Sequence, residues 1–185
     1  MPKLYFRYGA MNSSKTANLL MVAHNYRSQG KNVILIKPNI DNRVDVLQIT
    51  SRMGISMKAD IVVTSDTDLS QIQHTDCILV DECQFLTPLQ IEQLRVLTNT
   101  TPVICYGLRT DYKTILFPAS KRLMELADNI EEIKTVCVYC NSKAIINAKF
   151  TIENEQKYIL KQGSSEPEIG AEEKYQAMCW YCWNI

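Results

Sequence analysis

The chain has 185 residues, enough for one domain with a real core and a small appended module, but not for two large independent domains. Hydrophobic residues at 46% and charged residues at 22% are ordinary for a globular protein and exclude a disordered chain. Lys plus Arg number 20 and Asp plus Glu number 20, so no overall positive field exists to draw in nucleic acid by counterion release.

The N-terminal stretch lacks the charged-then-apolar pattern of a secretory leader, and no window approaches the roughly 20 apolar residues of a membrane span. The expectation is a cytoplasmic protein with neither a membrane nor a nucleic acid as partner. In that compartment the 7 cysteines read as free thiols and metal ligands rather than disulfides.

Short apolar runs rich in Val, Ile, Leu and Tyr predict buried strands at 4–8 (LYFRY), 32–36 (NVILI), 77–80 (CILV) and 102–106 (PVICY). Between them, helical patterns are expected over 14–29, with Leu19, Leu20, Val22, Ala23 and Tyr26 near one face and Gly30 as a stop, then over 89–97 after Pro88, and over 119–127. Strands alternating with helices imply an α/β fold with a parallel sheet flanked by helices. The SRMGIS stretch at 51–56 reads as a flexible segment near the site with no assigned role. After about residue 130 the character changes: KTVCVYC, a hairpin through AIINAKFTI and QKYILKQ, then a Gly, Ser, Pro and Glu stretch at 163–173. The expected organisation is a nucleotide-binding domain over 1–130 and a small cysteine-bearing lobe over 131–185.

Three constellations carry chemistry. The first is YGAMNSSKT, where Gly9, Lys15 and Thr16 fall on the phosphate-loop pattern G-x-x-x-x-G-K-[ST] between a strand and a helix. Backbone N–H groups of such a loop and the helix start hold phosphate oxygens, the lysine reaches the outer phosphates, and the hydroxyl ligates Mg²⁺. Ser14 stands where the second glycine usually falls. Its side chain narrows the approach of phosphate and carries a cost wherever the backbone angle is one that only glycine accepts.

The second is CILVDECQF. A strand ending in Asp81 and Glu82 delivers two carboxylates to the carboxyl edge of a parallel sheet, where ligands bind in open α/β folds. One can hold hydrated Mg²⁺, and the other can accept a proton or orient a nucleophile. The third is Cys137-x2-Cys140 with Cys179-x2-Cys182, two knuckles matching a closed tetrahedral Zn²⁺ site with no open position for catalysis.

The ordered set GAMNSSKT, ILVDECQFL, CYGLRTD, the paired CxxC motifs and IGAEEKY resembles the type II thymidine kinases, the small zinc-containing family, over nearly the whole chain. That resemblance implies transfer of the γ-phosphoryl group of ATP to the 5′-hydroxyl of thymidine, giving dTMP and ADP in nucleotide salvage. It implies that the loop of Gly9, Ala10, Met11, Asn12, Ser13, Ser14, Lys15 and Thr16 cradles the triphosphate, with the turn of Asp81, Glu82, Cys83 and Gln84 beside it. Thr16 and Asp81 would support Mg²⁺, and Glu82 would be the catalytic base.

Asp41 and Arg43 resemble the family's acidic-x-basic motif near the phosphates. The resemblance also implies a substrate pocket lined by Met11, Phe85, Tyr112 and Phe117. A loop over 163–175, with Glu166, Pro167, Glu168, Ile169 and Gly170 followed by Tyr175, would read the base through backbone groups. Ala171 stands where the family commonly has a second glycine. The usual assembly of the family is a homotetramer. Two competing readings are a P-loop ATPase that switches conformation without a nucleoside acceptor, and a zinc-ribbon nucleic-acid module, which the neutral charge disfavours.

Overall fold

The computed structural model describes residues 1–39, 47–73, 75–153, 156–163 and 174–185. Strands β1 (Leu4–Tyr8), β2 (Val33–Pro38), β5 (Ile61–Val63), β6 (Cys77–Val80), β7 (Val103–Gly107) and β8 (Asn129–Glu132) form one sheet in the order β5-β2-β6-β7-β1-β8. Every pairing in it is parallel. The helices are α1 (Lys15–Ser28), α2 (Pro88–Leu97), α3 (Pro118–Leu126) and α4 (Trp180–Asn184). The expected α/β architecture is what the chain adopts, with the helix and strand boundaries close to those read from the sequence.

Strand alternation divides the core in two. Ile78 and Val80 of β6, Val103 and Cys105 of β7, and Leu4 and Phe6 of β1 pack with Ile91 and Leu94 of α2 and Leu123 of α3. Cys77 and Leu79, Ile104 and Tyr106, and Val33 and Leu35 pack on the other face with Leu19, Leu20 and Ala23 of α1. Both faces of the central strands are therefore covered, which is why β6 reads as a continuous apolar run. Burying each such side chain contributes about 1.5–3 kcal/mol.

Helix α2 starts on a capping box: the Thr87 side chain accepts from the Gln90 N–H, the Gln90 side chain accepts from the Thr87 N–H, and Pro88 fills the first turn. Such a cap contributes about 1 kcal/mol.

Two smaller sheets complete the frame. A hairpin of β3 (Gln48–Thr50) and β4 (Ser56–Lys58) lies against α1 through Ile49, and the Lys37 ammonium holds the Gln48 carbonyl at 3.0 Å. Its tip is the SRMGIS segment, turned by a Ser51 N–H to Ile55 O bond of 2.8 Å and by Gly54 at φ 82°. In the C-terminal lobe β9 (Ile146–Glu153) pairs antiparallel with β10 (Gln156–Leu160), the expected hairpin, and on its other side with β11 (Tyr175–Met178). Lys149 is the register partner of Leu160 on one side and of Tyr175 on the other. Among the described residues no helix is long and apolar enough to cross a membrane.

Candidate active site

The loop after β1 begins at Gly9, whose N–H reaches the Gly107 carbonyl at 3.3 Å. A Cβ on Gly9 would collide with the Ile133 carbonyl and the Ser13 hydroxyl, so glycine is required here by close packing. The left-handed angles fall instead on Asn12 (φ 64°) and Ser14 (φ 61°, ψ 27°). Asparagine tolerates that region; serine carries a cost of about 1–2 kcal/mol there. Ser14 also makes no side-chain capping bond to α1.

Lys15 is buried, and its ammonium is held inside the loop by the carbonyls of Ala10 (2.9 Å) and Gly9 (3.2 Å), with the Ser13 hydroxyl at 3.4 Å. Burial lowers its pKa, an effect that the nearby Glu82 and Asp81 charges oppose and that Arg52, on the hairpin tip, reinforces.

The carboxylates arrive at the same sheet edge. Strand β6 ends at Asp81, whose N–H donates to Ile36 O at 2.9 Å, and the Thr16 hydroxyl lies 3.3 and 3.2 Å from the two Asp81 oxygens. Burial first, then the Glu82 charge, push the Asp81 carboxyl up to about 7. Glu82 sits at φ 49°, ψ 40°, a left-handed conformation that a non-glycine residue adopts only under constraint.

The constraint is visible. Gln84 is buried, donates from Nε2 to Glu82 Oε2 at 2.6 Å, and accepts the Leu108 N–H on Oε1 at 2.9 Å. Gly107 leaves room for this turn, since a Cβ there would collide with Gln84 Oε1 and approach Cys83 Sγ to 2.7 Å. Cys83 itself is fully buried, and burial raises its thiol pKa well above the usual range, so it is an unreactive packing residue.

The aromatic residues expected at a pocket form two groups. Phe85, closing the 3₁₀ turn Cys83–Phe85, meets Phe117 edge to face at 5.8 Å between ring centroids. Tyr112 is buried, with its hydroxyl 3.2 Å from Gln162 O, and the Lys149 ammonium lies 5.1 Å from its ring and 5.9 Å from that of Tyr175. Met11 is half-buried in the phosphate loop. Asp41, Arg43, Glu166, Pro167, Glu168, Ile169, Gly170 and Ala171 lie outside the described residues.

The four paired cysteines do converge: the sulfurs of Cys137, Cys140, Cys179 and Cys182 all lie within 4.8 Å of one another, and Cys140 is 3.6 Å from both Cys179 and Cys182. Four thiolates around one Zn²⁺ stand about 3.8 Å apart, the tetrahedral edge for Zn–S bonds near 2.3 Å. Backbone and hydroxyl donation from Ser142 lowers Cys140 to about 6, whereas desolvation and the neighbouring sulfurs push Cys182 up to about 12. Four adjacent thiols cannot all ionise without a compensating charge, and the donor set fits zinc.

The thymidine kinase family model matches residues 2–183. The chain belongs to the thymidine kinase family. It is similar to a thymidine kinase of Chromobacterium violaceum, 43% identical over 190 residues that span 100% of this chain and 99% of the relative. A thymidine kinase of Enterobacteria phage T4 is 40% identical over 193 residues, covering 100% and 96%, and one of Shewanella oneidensis is 38% identical over 187 residues, covering 97% and 95%.

One residue at this thymidine kinase family site escaped the sequence reading. Asn147, in β9, is buried and accepts the Met11 N–H on Oδ1 at 2.7 Å. The signal was an asparagine inside the apolar stretch AIINAKF, a polar group that burial obliges to find a partner.

Proposed function

We propose that this protein is a thymidine kinase that transfers the γ-phosphoryl group of ATP to the 5′-hydroxyl of thymidine, giving dTMP and ADP for nucleotide salvage. The observation that carries the reading is the convergence of Lys15, Thr16, Asp81 and Glu82 on one sheet edge, in a chain whose family relatives bear that name. The loop of Gly9 to Thr16 receives the triphosphate, and Lys15 exchanges its loop carbonyls for phosphate oxygens. Asp41 and Arg43 join it from the segment after β2.

Thr16 and Asp81 offer hard oxygen ligands to Mg²⁺, and the high pKa of Asp81 marks a buried carboxylate that a cation would compensate. When bound, the ion neutralises charge on the phosphates. Glu82, fixed by Gln84, takes the proton of the 5′-hydroxyl. Holding acceptor and donor in line accounts for most of what a protein contributes to phosphoryl transfer.

Met11, Phe85, Tyr112, Phe117 and Tyr175 line the nucleoside side of the site. Glu166, Pro167, Glu168, Ile169 and Gly170 supply the groups that read the thymine edge, a form of selection in which a missing hydrogen bond is heavily penalised. The zinc cluster holds the lobe that carries them. A cytoplasmic homotetramer is the assembly that goes with this reading. Purified protein with Mg-ATP should form ADP only when thymidine is present, and Glu82→Gln should lose most of that turnover. Hydrolysis indifferent to thymidine would replace this reading with that of a nucleotide-driven switch.

A further inference from the structure

The phosphate loop is docked onto the C-terminal lobe. Asn147 Oδ1 accepts the Met11 N–H at 2.7 Å, and Asn147 Nδ2 approaches the Thr110 carbonyl at 3.4 Å. The Thr135 hydroxyl meets the Asn12 carbonyl at 3.4 Å, and Ala10 packs against Ala144 and Ala177, three side chains small enough to let the backbones meet closely. Each lobe partner is tied to a cysteine knuckle. Thr135 is two residues before Cys137 and accepts the Ala144 N–H at 2.9 Å, and Ala177, two residues before Cys179, is the register partner of Asn147. Asn147 is 4% exposed, so its amide sits at the centre of this contact rather than at its rim.

We infer that Asn147 is a positioning residue for phosphoryl transfer: it fixes the middle of the phosphate loop from the zinc-bearing lobe and sets the loop's affinity for the nucleotide. The argument is geometric. The loop contains two left-handed non-glycine residues, Asn12 and Ser14, on either side of Ser13, and the strain at the serine is held only where neighbours constrain the loop. Asn147 grips the residue immediately before the first of them, and through Thr110 it ties the loop to the turn that carries Tyr112.

This inference rests on the kinase reading for its consequence, not for its contact. Asn147→Ala should raise the Kd for Mg-ATP, titrated without nucleoside, about tenfold, the worth of one buried hydrogen bond. Hydrogen exchange of the Met11 amide in ligand-free protein should accelerate in the variant, while exchange in β6 and β7 stays unchanged. An unchanged ATP affinity or a loss confined to thymidine would overturn the assignment, the latter making Asn147 a base-contacting residue instead. Wild-type protein that bound no nucleotide would defeat the kinase reading and with it the affinity role, whereas the exchange comparison would still decide whether Asn147 holds the loop.

Discussion

Gln84 holds the Glu82 carboxylate at 2.6 Å and is itself held by the Leu108 N–H, so the orientation of Glu82 is set by the end of β7. Glu82→Gln preserves the size of the side chain but removes the proton acceptor. The expected outcome is nucleotide affinity within a few-fold of wild type and turnover lower by about 10²–10⁴, the usual contribution of general base catalysis. Steady-state kinetics alongside nucleotide titration checks both parts; full activity in the variant would remove Glu82 as the base.

Ser14 occupies a backbone conformation at φ 61° that favours glycine. Ser14→Gly relieves steric strain of about 1–2 kcal/mol but adds unfolded-state entropy of about 0.5–1 kcal/mol. A net gain of at most about 1.5 kcal/mol in chemical denaturation is expected, with nucleotide affinity equal or tighter. Clear destabilisation would show that the serine hydroxyl has a partner worth more than the strain.

Asp81 has its carboxyl raised from 3.8 to about 7, chiefly by burial. A raised carboxyl favours its neutral form in the folded state. Its contribution to stability is therefore fully present below about 4 and is lost as pH climbs through about 7. In the absence of Mg²⁺ and nucleotide, Asp81→Asn should melt higher than wild type at pH 8, and the gap should close by pH 4. Thermal melts across that range test the sign, and a gap that widens in acid would contradict it.

Removing one cysteine ligand opens the thiol cluster. Cys140→Ser should lower bound zinc toward zero, by metal analysis of the purified protein, and reduce the melting temperature by several degrees, since metal-binding energy is folding energy for such a lobe. Zinc content equal to wild type would refute the four-cysteine assignment.

Much of the frame was legible because its elements are strongly patterned. CILV is apolar throughout because β6 is covered on both faces, and Pro88 marks the start of α2. The strands that escaped are short or polar. Strand β8, NIEE, lies at the sheet edge, pairs among the described residues with β1 and is mostly exposed, and β3, β4 and β5 have three residues each. Periodicity cannot register in so few positions.

At the site, local motifs were readable where one segment carries the chemistry, as in Lys15 with Thr16 or Asp81 with Glu82. Contacts joining distant segments were not. Gln84 to Leu108 and Asn147 to Met11 depend on where the sheet and the lobe bring the backbone, and no spacing rule encodes them.

Lys149 stands between Leu160 and Tyr175, so the chain leaves the lobe sheet on one side of this residue and rejoins it on the other. The gap to be bridged is two strand spacings, about 10 Å, whatever lies between. Closure is set by the sheet, and doubling the length of the intervening segment costs only about 0.6 kcal/mol. The sheet thus fixes the two ends of the stretch 161–174 independently of its sequence. On the proposed function, changes in its length would alter the nucleoside side of the site at little cost to the sheet, while its first residues stay tied to the core through the Tyr112 hydroxyl and the Gln162 carbonyl.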